Sequence, residues 1–162
     1  MKPLVQAVVV HRFTVAAERV FDAWVDAGLL ARWMFGPAVR DERVVRLDLV
    51  ARVGGSYSFV VDRRGTLVDH VGEYLAIDRP RRLVFTWATR DTLPDTSRVT
   101  VEITPLDRGC ELKLTHEMSR EWTAYVDQAA GSWRKMLSTL GDVLNEPPHA
   151  AILAAPPSSP LP

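Results

Sequence analysis

A chain of 162 residues, 47% hydrophobic and 25% charged, has the size and apolar content of one domain with its own core. Its 20 Lys and Arg balance its 20 Asp and Glu, which excludes the basic surplus that nucleic acid or an acidic membrane requires. Cys110 is the single cysteine, so no intrachain disulfide forms, and a reducing, cytoplasmic location is expected.

The run MKPLVQAVVVHRF stops at His11-Arg12, too short to span a membrane and without a cleavage site, and it opens a strand from Leu4 to Val15. Ala17, Val20, Phe21 and Trp24 recur at i, i+3, i+4 and i+7, the stripe of an amphipathic helix. Leu29, Leu30 and Trp33 predict a second short helix, ended by Gly36-Pro37. Strands are predicted over 39–51, 56–62, 66–77, 82–89, 98–105 and 109–117, joined by the turn sequences DRRG, DRPR, LPDTS and LDRG. Such short connections imply an antiparallel meander. A long helix follows from Arg120 to Asn145, with Trp122, Val126, Ala129, Trp133, Met136, Leu137, Leu140 and Leu144 on one face. Gly131 lies opposite them, where it weakens the helix by about 1 kcal/mol. Six prolines after Glu146 mark 147–162 as a flexible tail, leaving one domain over 1–146.

Strands plus one long terminal helix make an α+β layout: a curved antiparallel sheet of about seven strands wrapped round the C-terminal helix. Alternation identifies the face that the helix covers: Tyr57, Phe59 and Val61; His70, Gly72 and Tyr74; Leu83, Phe85 and Trp87; Val99, Val101 and Ile103; Leu112, Leu114 and His116. Gly54-Gly55, inside the strand-like stretch ARVGGSYSF, is read as a bend that curls the sheet, and Gly72 as a side chain removed from the interior. Together they predict a hollow under the helix.

Four stretches in order, HRFTVAAERVFDAWVDAGLLARWMFGP, RVGGSYSFVV, GEYLAIDRPRRLVFTW and LTHEMSREW followed by GSWRKMLSTLGDVL, resemble the START/SRPBCC superfamily, the helix-grip fold. They are most similar to the branch named for the activator of heat shock protein 90 ATPase, over about residues 5–145. The resemblance implies strand, two short helices, six antiparallel strands, and a long helix across the mouth of a pocket. Two positions depart from the family pattern: Val50 stands where an acidic residue precedes the arginine, and Ser132 separates Gly131 from Trp133.

The expected ligand-binding set is Trp33, Tyr57, Phe59, His70, Tyr74, Phe85, Trp87, His116, Trp133 and Leu137, lining the hollow from both sheet and helix. Taken singly, each of these aromatics is more readily core filling, and it is some subset of them that the fold and the glycines place on a pocket wall. His11, His70 and His116 share the inward phase on separate strands without ligand spacing, so no metal set is assigned. Without a nucleophile elbow, P-loop or dinucleotide fingerprint, no catalytic residue and no cofactor is assigned. The expected function is binding of an apolar, aromatic or lipid-like small molecule. The alternatives are a cyclase/aromatase-like or hydrolytic enzyme on the same scaffold, and a chaperone ATPase-stimulating module tied to stress response, disfavoured without a strongly charged face. Pairing of two copies stays open.

Overall fold

A computed structural model describes residues 4–146; the predicted tail lies outside the described residues. In chain order come β1 (Leu4–Phe13), α1 (Ala17–Asp22), α2 (Ala27–Trp33), β2 (Arg43–Leu49), β3 (Ser56–Arg63), β4 (Thr66–Asp78), β5 (Arg82–Thr89), β6 (Ser97–Pro105), β7 (Cys110–Ser119) and α3 (Val126–Leu144). Two 3-10 turns, Arg90–Thr92 and Arg120–Tyr125, lead into β6 and α3. The strands form one curved antiparallel sheet in the order β1-β7-β6-β5-β4-β3-β2, the α+β helix-grip arrangement.

The inward phase read from alternation is the buried one: Tyr57, Phe59, Val61, Tyr74, Leu83, Phe85, Val99, Val101, Ile103, Leu112 and Leu114 are at most 4% exposed. Against them α3 buries Ala129, Trp133, Met136, Leu137, Leu140 and Leu144. Trp122 departs from the expected stripe. The chain at 120–125 is a 3-10 turn with no buried residue, so Trp122 sits out of helical phase, 39% exposed. The N-terminus of α2 is capped by Asp26, whose carboxylate accepts from the Leu29 amide. The C-terminal end of α3 is tied down three ways. Arg19 donates to the Leu144 carbonyl, Thr14 donates to Asn145, and Arg32 pairs with Glu146.

The glycines act differently from the sequence reading. Gly54 takes φ +84 in the β2–β3 connection, and a Cβ on Gly55 would stand 2.1 Å from the Val50 carbonyl oxygen. Gly54 donates to the Tyr74 carbonyl and Tyr74 donates to that of Gly55, so the pair makes a tight connection that still meets β4. Bulges interrupt the neighbouring strands, with Val45 unpaired between Val44 and Arg46 and Leu75 unpaired between Tyr74 and Ala76, and such bulges add bend and twist of their own. The space above Gly72 is not hollow. Tyr57 fills it and donates its hydroxyl to the Thr86 carbonyl at 2.6 Å.

A Cβ at position 72 would lie 2.1 Å from the Thr86 oxygen and 2.5 Å from the Tyr57 hydroxyl. Gly72→Ala is therefore expected to destabilise the domain by more than about 2 kcal/mol, read as a lowered urea midpoint.

Candidate functional site

The space beneath the middle of α3 is filled by rings. Tyr57 stacks on Phe59 at 4.5 Å, and Trp24 meets Trp33 at 4.7 Å and Trp133 at 6.0 Å. The Trp33 indole donates to the Ala23 carbonyl at 2.9 Å. Tyr57, Phe59, Tyr74, Phe85 and Trp87, with Trp24, Leu30 and Met34, enclose only about 10 Å³, room for one water at most. Of the expected ligand set, Phe59, Tyr74 and Phe85 thus lie in packed core, Tyr57 lies there too with its edge at an outer cavity beside Gly72, and Trp33 and Leu137 are fully buried. Burial pushes the Tyr74 hydroxyl up to about 12, so it stays protonated.

Beneath the N-terminal end of α3 the packing opens into a cavity of about 410 Å³; a shallower one of about 620 Å³ lies over β2 to β5, bordered by Arg46, Asp48, Glu73 and Arg90. Four of the expected residues meet in the first of these: His70, Trp87, His116 and Trp133. Phe35, Tyr125, Gln128, Ser132 and Met136 complete the wall, with Arg40, Asp41, Arg63 and Arg64 at the rim. The rings run as a series: Phe35 to His70 at 5.0 Å, His70 to Trp87 at 5.2 Å, Trp87 to Trp133 at 5.7 Å. A smaller recess of about 140 Å³ adjoins it, sharing Trp87, Thr89, His116 and Tyr125 and reaching Trp122. Ser132, the residue that departs from the family pattern, faces this cavity, while Gly131 faces open space. Gly54 and Gly55 adjoin the opposite end of β3 from Arg63, so the double glycine takes no part in the cavity.

The two cavity histidines are chemically distinct. An indole N–H only donates, so Trp133 Nε1 at 3.1 Å fixes His116 Nδ1 as an acceptor. His116 then carries its proton on Nε2 and donates it to Ser97 Oγ at 2.7 Å, and Ser97 donates onward to the Trp87 carbonyl at 3.0 Å. Both nitrogens are spent, so His116 has no lone pair with which to activate Ser97 or to take a ligand proton. His70 Nδ1 lies 3.2 Å from the Phe59 carbonyl and must donate to it, which leaves Nε2 an acceptor with no hydrogen bond among the described residues. Desolvation lowers both imidazoles from 6.5 to about 4. His11 lies instead against Gly141, near the far end of α3, and among the described residues no three His, Cys, Asp or Glu side chains stand together as a metal site.

The rim escaped the sequence reading. Glu42, its side chain fully buried, accepts from the Gly36 amide and from Arg40 through Oε2, and from Arg63 through Oε1. The one available signal was DRRG. A two-residue hairpin favours Asn-Gly, yet here Arg64 holds φ +54 before Gly65 at +91.

A family model described as Activator of Hsp90 ATPase homolog 1-like protein matches residues 14–145. Comparison with curated proteins gives no match. Among solved structures, protein CV1439 from Chromobacterium violaceum is 22% identical, with TM-score 0.74, over 88% of this chain and 98% of its own. The AHSA1 protein from Silicibacter pomeroyi is 25% identical, with TM-score 0.71, over 86% and 97%. A protein from Rhodobacter sphaeroides is 20% identical, with TM-score 0.75, over 86% and 91%.

The depressed histidines make stability pH-dependent. Unfolded, each takes a proton near pH 6.5; folded, only near pH 4. Stability is whole above 6.5 and falls between 6.5 and 4, by up to about 1.4 kcal/mol per pH unit for each histidine. Urea unfolding of the wild type and His116→Gln across that window is expected to show a shallower slope in the variant.

Proposed function

We propose that this chain, which belongs to the activator of Hsp90 ATPase homolog 1-like family, binds a small aromatic or apolar molecule in the cavity at the N-terminal end of α3. The observation that carries the reading is the meeting of an aromatic wall with one unsatisfied acceptor. Trp87 is partly exposed between His70 and Trp133, and His70 Nε2 has no partner among the described residues. An aromatic wall with a free acceptor set in it suits a ring bearing a hydroxyl or N–H donor. The cavity volume, about 410 Å³, falls within the usual range for small-molecule sites. The ligand set is accordingly His70, Trp87 and Trp133, with His116 acting through the bonds that position Trp133 and Trp87.

Proton-transfer chemistry would need two titratable groups free to exchange protons in the cavity. His116 has both nitrogens engaged, and the other titratable side chains of the cavity, Asp41 and Tyr125, make no hydrogen bond to His70 among the described residues, which favours binding over an acid–base reaction. The chaperone activity named in the family description would act through an outer surface and leave the cavity without a role.

Titration with β-naphthol, followed by tryptophan fluorescence and calorimetry, tests the reading. Saturable binding is expected, weakened about tenfold by His70→Leu through loss of one hydrogen bond, with naphthalene unaffected. A protein that leaves tryptophan emission unchanged with β-naphthol, and retains nothing from a metabolite extract on ultrafiltration, would contradict it.

A further inference from the structure

We infer that the mouth of this cavity selects acids: Arg64 receives the carboxylate of a ligand whose apolar body lies on the aromatic wall. The inference rests on the reading of the cavity as a small-molecule site and adds the chemical class of the ligand.

Three features carry it. First, the rim holds a surplus of guanidinium. Glu42 Oε1 takes both Nε and Nη2 of Arg63, at 3.0 and 2.9 Å, and Oε2 takes Arg40 Nη1 at 3.1 Å. One buried carboxylate thus holds two arginines against the cavity wall, and one of the two charges stays uncompensated. Each of these arginines keeps N–H groups that make no bond among the described residues. Second, Arg64 lines the same cavity and makes no ion pair among the described residues. Third, Arg64 occupies a left-handed turn position, φ +54, where a long side chain is disfavoured and asparagine is preferred. A guanidinium at a position where turn chemistry favours another residue is an outlier that points to a role beyond the turn. Asp41 is the opposing charge. It lines the cavity and has no ion pair among the described residues, so it weakens the field without cancelling it.

An arginine fork matches a carboxylate in geometry as well as charge. The complementary ligand is therefore an aromatic or aliphatic carboxylic acid, its body on Trp87 and Met136 and its carboxylate outward at the hairpin.

The test compares β-naphthoate with its neutral isostere β-naphthamide by calorimetry on wild type, Arg64→Asn and Asp41→Asn. Wild type is expected to bind the acid about tenfold tighter than the amide at low salt, a preference that shrinks at about 0.5 M NaCl. Arg64→Asn is expected to abolish the preference and leave amide binding unchanged, with a thermal midpoint equal to or above that of wild type. Asp41→Asn is expected to widen the preference about two- to threefold. Equal binding of acid and amide by wild type overturns acid selection and leaves the small-molecule site standing. A preference that survives in Arg64→Asn overturns the assignment to Arg64. If neither compound binds, both readings fall.

Discussion

The apolar stripe of α3 pressed onto the curved sheet governs the rest of this structure, and it is anchored unevenly. At its C-terminal end, Arg19 of α1, Thr14 of the β1–α1 junction and Arg32 of α2 hold Leu144, Asn145 and Glu146. At its N-terminal end a 3-10 turn with no buried residue carries the chain from β7 into the helix. Packing is complete beneath Leu137, Leu140 and Leu144, which are at most 5% exposed. It lapses where Tyr125, Gln128 and Ser132 overhang the sheet, and there the cavity opens. Close-packed interiors leave few voids larger than a water. A space of this size beside a filled core is thus a departure that lies at the less anchored end of the helix.

The walls of that space divide into fixed and available groups. His116 is fixed: Trp133 from α3 and Ser97 from β6 take its two nitrogens, so it joins helix to sheet as a neutral ring. Low local dielectric strengthens such a network only when every member is satisfied, and the chain from Trp133 to the Trp87 carbonyl ends on an acceptor. Glu42 is likewise fixed, with both oxygens bonded and its charge answered by Arg40 and Arg63. What remains available is the His70 lone pair at the wall, the face of Trp87 and the Arg64 guanidinium at the mouth. Those three line one cavity, contributed by β4, β5 and the β3–β4 hairpin.

Much of the fold was legible because period-2 alternation and turn residues are local signals. Val99, Val101, Ile103, Leu112 and Leu114 lie where alternation placed them, and β2 to β7 follow the meander that short connections imply, while the pairing of β1 with β7 joins the two ends of the chain and has no local signal. The candidate site was legible only in part. His70, Trp87, His116 and Trp133 reach the cavity, while Tyr57, Phe59, Tyr74 and Phe85, on the same inward phase, lie in packed core. Phase tells which side of the sheet a residue faces. It does not tell how far along the helix that residue lies, and that distance separates core from cavity. The double glycine misled for a related reason: glycine signals a close approach of backbone without saying to what, and here the neighbour is the Val50 carbonyl.

Sequence alone determined the layer architecture, the buried face of β3 to β7 and the stripe of α3 from Ala129 onward, because each depends on residue spacing within one element. The tertiary structure decided where packing stops, which histidine keeps a lone pair, and that Glu42 gathers two arginines at a rim. These depend on atoms brought together from residues far apart in the chain, as with Trp133 and His116 or Arg63 and Glu42. A hydrogen bond is decided by a few tenths of an ångström, and no periodicity of side-chain type encodes a distance that fine.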